Sequence, residues 1–238
     1  MERLDKLVSQ RSSLTRSEAR SLIKRGEVAV NGEVCKSCDK KFDSLADVAV
    51  NGESLGKKYL YLMMNKPEGV VCATKDSSEK TVLDILPPQY KNRGLFPAGR
   101  LDKDTTGLLL LTNDGEFSHR IMSPNKNVYK YYIAQTDKPL SEDDISLFRS
   151  GIVFKDGTKC KSAFAENLKG EGACRVGVKI CEGKYHQVKK MLAVCGVKVQ
   201  KLERISIGFL TLDIKLPKGG CRELTDIEIS QILFSSFT

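Results

Sequence analysis

The segment Gly99-Arg100-Leu101-Asp102-Lys103-Asp104-Thr105-Thr106-Gly107 sets two carboxylates among bases in a loop flanked by glycines, and four leucines, Leu108 to Leu111, follow it. A loop that feeds a buried strand can hold a reactive carboxylate rigidly at the mouth of a core. The same residues also suit a surface loop whose charges pair with one another, and both readings stay open at this level. Other chemistries are poorly served. No Gly-x-x-x-x-Gly-Lys-Ser/Thr segment occurs, and Gly170-Glu171-Gly172 lacks the third glycine and the strand-to-helix setting of a dinucleotide site. The two histidines, His119 and His186, lie in no nucleophile elbow. Of the eight cysteines only Cys35 and Cys38 have ligand-pair spacing, and with no second pair they are expected to be reduced thiols packed as small hydrophobes. No metal and no cofactor are expected.

These residues belong to a chain of 238 residues, enough for one or two domains with a sizeable core. Apolar residues at 40% and charged residues at 29% are ordinary globular usage. The strongest apolar run, Leu108 to Leu111, is four residues long, against the roughly 18 a membrane helix needs. Met1-Glu2-Arg3-Leu4-Asp5-Lys6 alternates charge with no apolar signal core behind it, so a cytoplasmic protein without membrane contact is expected. The net charge of +9 favours a polyanionic partner. It is concentrated: residues 1–25 hold seven bases (Arg3, Lys6, Arg11, Arg16, Arg20, Lys24, Arg25) against three acids.

A first helix is expected over Glu2 to Ser9, from the spacing of Leu4, Leu7 and Val8. Thr15-Arg16-Ser17-Glu18 reads as a capping box that starts a second helix, ending near Arg25 at Gly26. On it Arg16, Arg20 and Lys24 stack along one face, either as a solvated face or as a nucleic-acid contact. The second reading is favoured because like charges repel unless a polyanion compensates them. Val28 to Val30 with Asn31-Gly32, and Asp47 to Val50 with Asn51-Gly52, predict small hairpins. Gly56-Lys57-Lys58 reads as a linker. Beyond it, strands are expected at Tyr59 to Met64, Val70 to Ala73, Leu108 to Thr112, Tyr131 to Gln135, Arg175 to Cys181 and Leu210 to Ile214. Helices are expected at Gly115 to Met122, Ser141 to Ser150 and His186 to Cys195. Without regular strand-helix alternation, the fold class is α+β with a mixed sheet.

Arg3-Leu4-Asp5-Lys6-Leu7, Thr15-Arg16-Ser17-Glu18-Ala19-Arg20, Gly26 and Val30-Asn31-Gly32 together resemble the S4 RNA-binding domain over the first quarter of the chain. In that family the basic helical face binds structured RNA. Gly99-Arg100-Leu101-Asp102 with Thr106-Gly107-Leu108-Leu109 resembles the catalytic motif of the pseudouridine synthases, in the RsuA/RluB-type branch that also carries an S4 domain. Further segments match in the same order: Asn65-Lys66-Pro67, Gly69-Val70-Val71, Lys130-Tyr131-Tyr132, Glu182 through Met191, Ile207-Gly208 and Arg222-Glu223-Leu224-Thr225. The resemblance thus covers almost the whole chain. It implies an S4 (αα-β) domain with linker over residues 1–58. A catalytic domain follows over 59–238, its mixed, largely antiparallel sheet flanked by helices.

Carried over, the resemblance makes Asp102 the nucleophile, Tyr132 the aromatic against the target base and Lys189 the basic partner of Asp102. Taken alone, Tyr132 suits core packing, Lys189 the polar face of a helix, and His119 and His186 structural hydrogen-bonding roles. The resemblance also implies RNA contacts by Arg100, Lys130, Lys184, His186, Gln187 and Lys190, beside Arg3, Arg16, Arg20, Lys24 and Arg25 of the basic head. The reaction breaks the uridine N1-glycosidic bond and rejoins the base through C5, which needs a carboxylate and confinement but no redox or energy source. Two routes are open, attack of Asp102 on the sugar carbon or abstraction of a sugar proton to give a glycal. Tyr185-His186-Gln187-Val188-Lys189 resembles the subgroup acting on small-subunit (16S) rRNA, so the expected partner is that rRNA or an assembly intermediate, bound by a monomer. The rivals are a large-subunit (23S) rRNA target and a non-catalytic S4-type RNA-binding or ribosome-assembly protein.

Overall fold

The computed structural model describes every residue except 44–45, 57–58, 124–125, 171 and 234–238, with residue 233 described by its backbone. Lys57 and Lys58 of the expected linker therefore lie outside the described residues. The N-terminal part runs β1 (Glu2–Arg3), α1 (Leu4–Arg11), α2 (Arg16–Arg25), β2 (Val28–Val30), β3 (Glu33–Val34), β4 (Lys41–Phe42), β5 (Val48–Val50) and β6 (Glu53–Ser54). The Thr15 side chain accepts from the Glu18 amide and Glu18 bonds back to Thr15, while Gly26 closes α2 at φ 80°. Both Asn-Gly turns adopt positive φ and join the hairpins β2-β3 and β5-β6. Leu4, Val8, Ala19, Ile23, Val28, Val30 and Val48 fill the small core between helices and sheet. The first helix begins two residues later than its apolar spacing predicts, because Glu2 and Arg3 pair with Phe42 and Lys41.

The second part runs β7 (Tyr61–Lys66), β8 (Phe96–Ala98), β9 (Thr105–Thr112), α3 (Gly115–Met122), β10 (Lys130–Thr136), α4 (Glu142–Ser150), β11 (Phe164–Leu168) and β12 (Cys174–Ile180). It ends with α5 (Gln187–Val194), β13 (Val199–Ile207), β14 (Leu210–Thr211), β15 (Cys221–Glu223) and α6 (Asp226–Leu233). One mixed sheet takes the order β11-β12-β10-β13-β9-β7-β15, and among the described residues only its strands β13 and β9 pair in parallel. The class is α+β, as expected. The leucine run explains the layering. Leu109 and Leu111 pack with Phe148 of α4 and Met191 and Leu192 of α5, while Leu108 and Leu110 pack with Phe117 and Ile121 of α3 and with Ile232. Successive residues on a strand face opposite ways, so a continuous apolar run marks a strand covered on both sides. Each leucine so buried contributes roughly 2 kcal/mol.

Some expected strands are shorter or absent. Val70 to Ala73 forms only the lone bridge Val71–Thr81, and β14 stops at Thr211 because Asp213 to Leu216 makes a turn. The two parts touch where Arg93 donates to the Gln10 carbonyl at 2.8 Å and Asn92 to the Ser13 carbonyl at 2.9 Å. Among the described residues no helix is long and apolar enough to cross a membrane.

Candidate active site

Asp102 sits on the loop that enters β9, and its backbone is fixed from below by Lys66. That lysine ends β7 fully buried, with Nζ 2.9–3.2 Å from the carbonyls of Pro67, Asp102, Lys103 and Thr105. Burial holds the Lys66 pKa below that of a free lysine, and nearby Cys72, Asp104 and Asp102 work against that shift. Further bonds tie the loop: the Gly69 amide to the Lys103 carbonyl, the Thr105 amide to the Asp102 carbonyl and the Leu101 amide to Cys72 Sγ. The Asp102 carboxylate is left partly open, at 27% exposure.

Opposite this loop stands α5. Val188, Met191 and Leu192 anchor it to the core, which turns Lys189 outward toward the carboxylates. Lys189 Nζ lies 3.2 Å from Asp102 Oδ2 and 2.5 Å from Asp104 Oδ1. Burial works against its charge, but the bonds to Asp104 and Asp102 outweigh burial and raise its pKa above the ordinary lysine value. The same bond from Lys189 holds the Asp104 pKa low. His186 Nε2 is 3.5 Å from Asp102 Oδ1.

Tyr132 and Arg204 form the floor. They are register partners on β10 and β13, and the Arg204 guanidinium donates through Nε to the Leu108 carbonyl at 2.7 Å. Its Nη1 reaches the Tyr132 hydroxyl at 3.5 Å, the far end of hydrogen-bond range. Gly107 makes this packing possible: at φ 100° it faces the Arg204 backbone so closely that a Cβ would collide with the Arg204 nitrogen and oxygen. The cleft thus bounded is about 680 Å³, within the size range of small-molecule and nucleobase pockets. Arg100, Asp102, Tyr132, Lys184, His186 and Arg204 are among its lining residues.

The structure brings Asp102, Tyr132 and Lys189 together from a loop, a strand and a helix far apart in sequence. It places the expected RNA contacts unevenly, some buried and some at the surface. Lys130 is buried at 2% exposure, its Nζ without a hydrogen-bond partner among the described residues. Burial first and then repulsion from Arg204 push its pKa down to about 8, with Cys181 opposing. Gln187 is buried too. Its amide bonds Glu182 and accepts the Lys184 amide proton, which braces the loop before α5. Lys184 lies 3.5 Å from Glu182, and Lys190 sits over the rings of Phe154 and Tyr185. Arg100 is exposed.

The basic head also differs from a bare stripe of like charge. Arg3, Arg16 and Arg20 converge on the Asp5 carboxylate, whose side chain is fully buried, at 2.8–3.1 Å. Burial alone would push the Asp5 pKa up, but these three hydrogen bonds hold it well below the usual carboxylate range. The compensating anion is therefore internal, and the half-exposed guanidiniums are pre-oriented with donors to spare. Arg25 pairs with Glu27. Sequence reasoning missed Arg204 and the support role of Lys66. Lys66 lies in a motif segment that hinted at it, whereas Arg204 occupies an inward position of β13 where a charge disguises the apolar pattern.

Comparison with known proteins agrees with this geometry. The profile described as RNA pseudouridylate synthase matches residues 60–194, and that of the S4 domain matches residues 2–40. An S4 head joined to a mixed-sheet core with a carboxylate cleft defines an enzyme class that acts on RNA. An uncharacterized RNA pseudouridine synthase, YtzG, of Bacillus subtilis (strain 168) is 43% identical over 95% of this chain and 96% of that protein. The ribosomal small subunit pseudouridine synthase A of Escherichia coli (strain K12) is 39% identical over 97% of this chain and 100% of its own. A crystal structure of a pseudouridylate synthase superposes with TM-score 0.67 at 37% identity, covering 98% of this chain and 100% of that one. The chain belongs to the RNA pseudouridylate synthase family and is an isomerase with an N-terminal S4 domain.

Proposed function

We propose that the protein converts a specific uridine of small-subunit rRNA to pseudouridine, with Asp102 as nucleophile, Lys189 as its basic partner and Tyr132 stacked on the uracil. The observation that carries this reading is the Asp102–Lys189 ion pair at 3.2 Å, at the lip of a cleft floored by Tyr132. The small-subunit assignment is supported by the 39% identity to the Escherichia coli enzyme of that name. Labour divides between residues 1–58, which hold the RNA, and 59–238, which act on it.

The target base is extruded into the cleft, at a cost of a few kcal/mol in lost pairing and stacking. The Asp102 carboxylate then either bonds to C1′ or removes the C2′ proton, and the N1–C1′ bond breaks. Confinement keeps the freed uracil in place while it turns, and C5 bonds to C1′ as the Asp102–C1′ bond breaks or, on the second route, as Asp102 returns the proton to C2′. The C5 proton leaves, N1 gains one, and the product is an isomer of the substrate. Contacts of Arg100, Lys184 and Lys190 with phosphates offset part of the extrusion cost. Pseudouridine mapping on small- and large-subunit rRNA, each free and in partly assembled particles, tests the substrate. One new pseudouridine in small-subunit rRNA is expected; modification confined to large-subunit rRNA overturns the assignment, and none on any substrate points to a non-catalytic RNA binder.

A further inference from the structure

Tyr185 lies on the rim of the Asp102 cleft and is 72% exposed, although its neighbours Gln187 and Val188 are buried. Its ring stacks on that of His186, with centroids 3.8 Å apart and planes 19° from parallel. His186 in turn reaches Asp102 through Nε2 at 3.5 Å, so the stack continues directly from the reactive carboxylate. The backbone is bent to achieve this. His186 adopts φ 52°, a left-handed conformation uncommon outside glycine, and it caps α5 there. Lys190 Nζ lies 5.1 Å from the Tyr185 centroid, and Lys184 and Arg100 line the same cleft.

An exposed aromatic ring, held by a second ring and bordered by cations, has the composition of a single-strand nucleobase site: the rings meet the base face and the cations meet the backbone. We propose that Tyr185 and His186 form a platform on which a base of the substrate strand stacks, next to the uridine that enters the cleft. Extruding one base leaves its neighbours short of a stacking partner, and the platform replaces it. The proposal rests on the Asp102 cleft being the place where uridine is isomerised. The platform adds a contact to a neighbouring nucleotide and so helps select the sequence around the target.

The chain contains no tryptophan, so Tyr185→Trp introduces a single indole reporter at the rim. Titration with a small-subunit rRNA transcript is expected to quench its emission, while inorganic polyphosphate at equal ionic strength, which offers charge without bases, leaves it unchanged. Tyr185→Ala is expected to weaken binding of the transcript roughly 5- to 100-fold, and Tyr185→Phe less than about twofold, as base–aromatic stacking predicts. An indole silent to the transcript, an equal response to polyphosphate, or full-affinity binding by Tyr185→Ala each overturns the platform. Pseudouridine formation by the wild type, measured alongside, separates the two readings. Quenching without any pseudouridine retires the reaction assignment and keeps the platform; pseudouridine with a silent indole does the reverse.

Discussion

Lys189 divides its ammonium between two carboxylates, and the shorter contact, 2.5 Å, goes to Asp104 rather than to Asp102. Asp104 therefore anchors the cation, which remains charged and supplies a positive field to Asp102 without gripping it most tightly. A different cation is held at a loss. Lys130 titrates near 8 because it is buried beside Arg204, so between about pH 8 and the ordinary lysine value of 10.5 the folded chain binds fewer protons than the unfolded chain. The sign follows: this group's burden on stability is greatest below pH 8 and lifts as pH rises through that window. Lys130→Met should therefore raise stability at pH 7 by on the order of 2 kcal/mol and flatten the rise above pH 8, as measured by urea denaturation across pH. At this scale sequence reading found the Asp102 loop, because glycines and alternating charges flag it. It did not show that Lys130 and Gln187 are buried, since burial of a polar side chain depends on partners that no local spacing reveals.

The site is assembled by strand pairing more than by any helix. The parallel contact of β9 with β13 aligns Gly107 with Arg204, and β10 aligns Tyr132 with the same arginine. Gly107→Ala should cost about 3 kcal/mol or more, since the new Cβ meets Arg204 backbone and the φ of 100° strains any L side chain. Equilibrium denaturation checks this, and an unchanged midpoint would show that β9 and β13 separate freely. Helices and hairpins were legible because their signals are local: the Thr15–Glu18 capping box, the Gly26 stop and the Asn-Gly turns all appear where expected. β13 escaped notice. Its sequence Val-Gln-Lys-Leu-Glu-Arg-Ile-Ser-Ile carries charges within the run, and the buried Arg204 donates through Nε to the Leu108 carbonyl on a strand 96 residues away in sequence.

Across the whole molecule, the proposed function assigns recognition of RNA to the arginine cluster around Asp5 and chemistry to the carboxylate cleft. Because Asp5 already neutralises part of the cluster, each guanidinium contributes less net charge but a better fixed geometry. Arg16→Ala with Arg20→Ala should weaken rRNA binding and reduce the slope of log affinity against log salt by roughly 1.5, while sparing the single-turnover rate at saturating enzyme. A slower chemical step in that variant would show that the head helps to align the base. The S4 domain and the order of the catalytic motifs were readable along the chain. How Asn92 and Arg93 hold the head was not, since backbone carbonyls carry no sequence signature.

Whether Asp102 performs the chemistry is decided by single-turnover pseudouridine formation on small-subunit rRNA by Asp102→Asn, with binding measured in parallel. Loss of at least roughly 1,000-fold in rate with RNA affinity retained is the predicted result. A rate within about tenfold of the wild type would show that a group other than the Asp102 carboxylate carries the reaction.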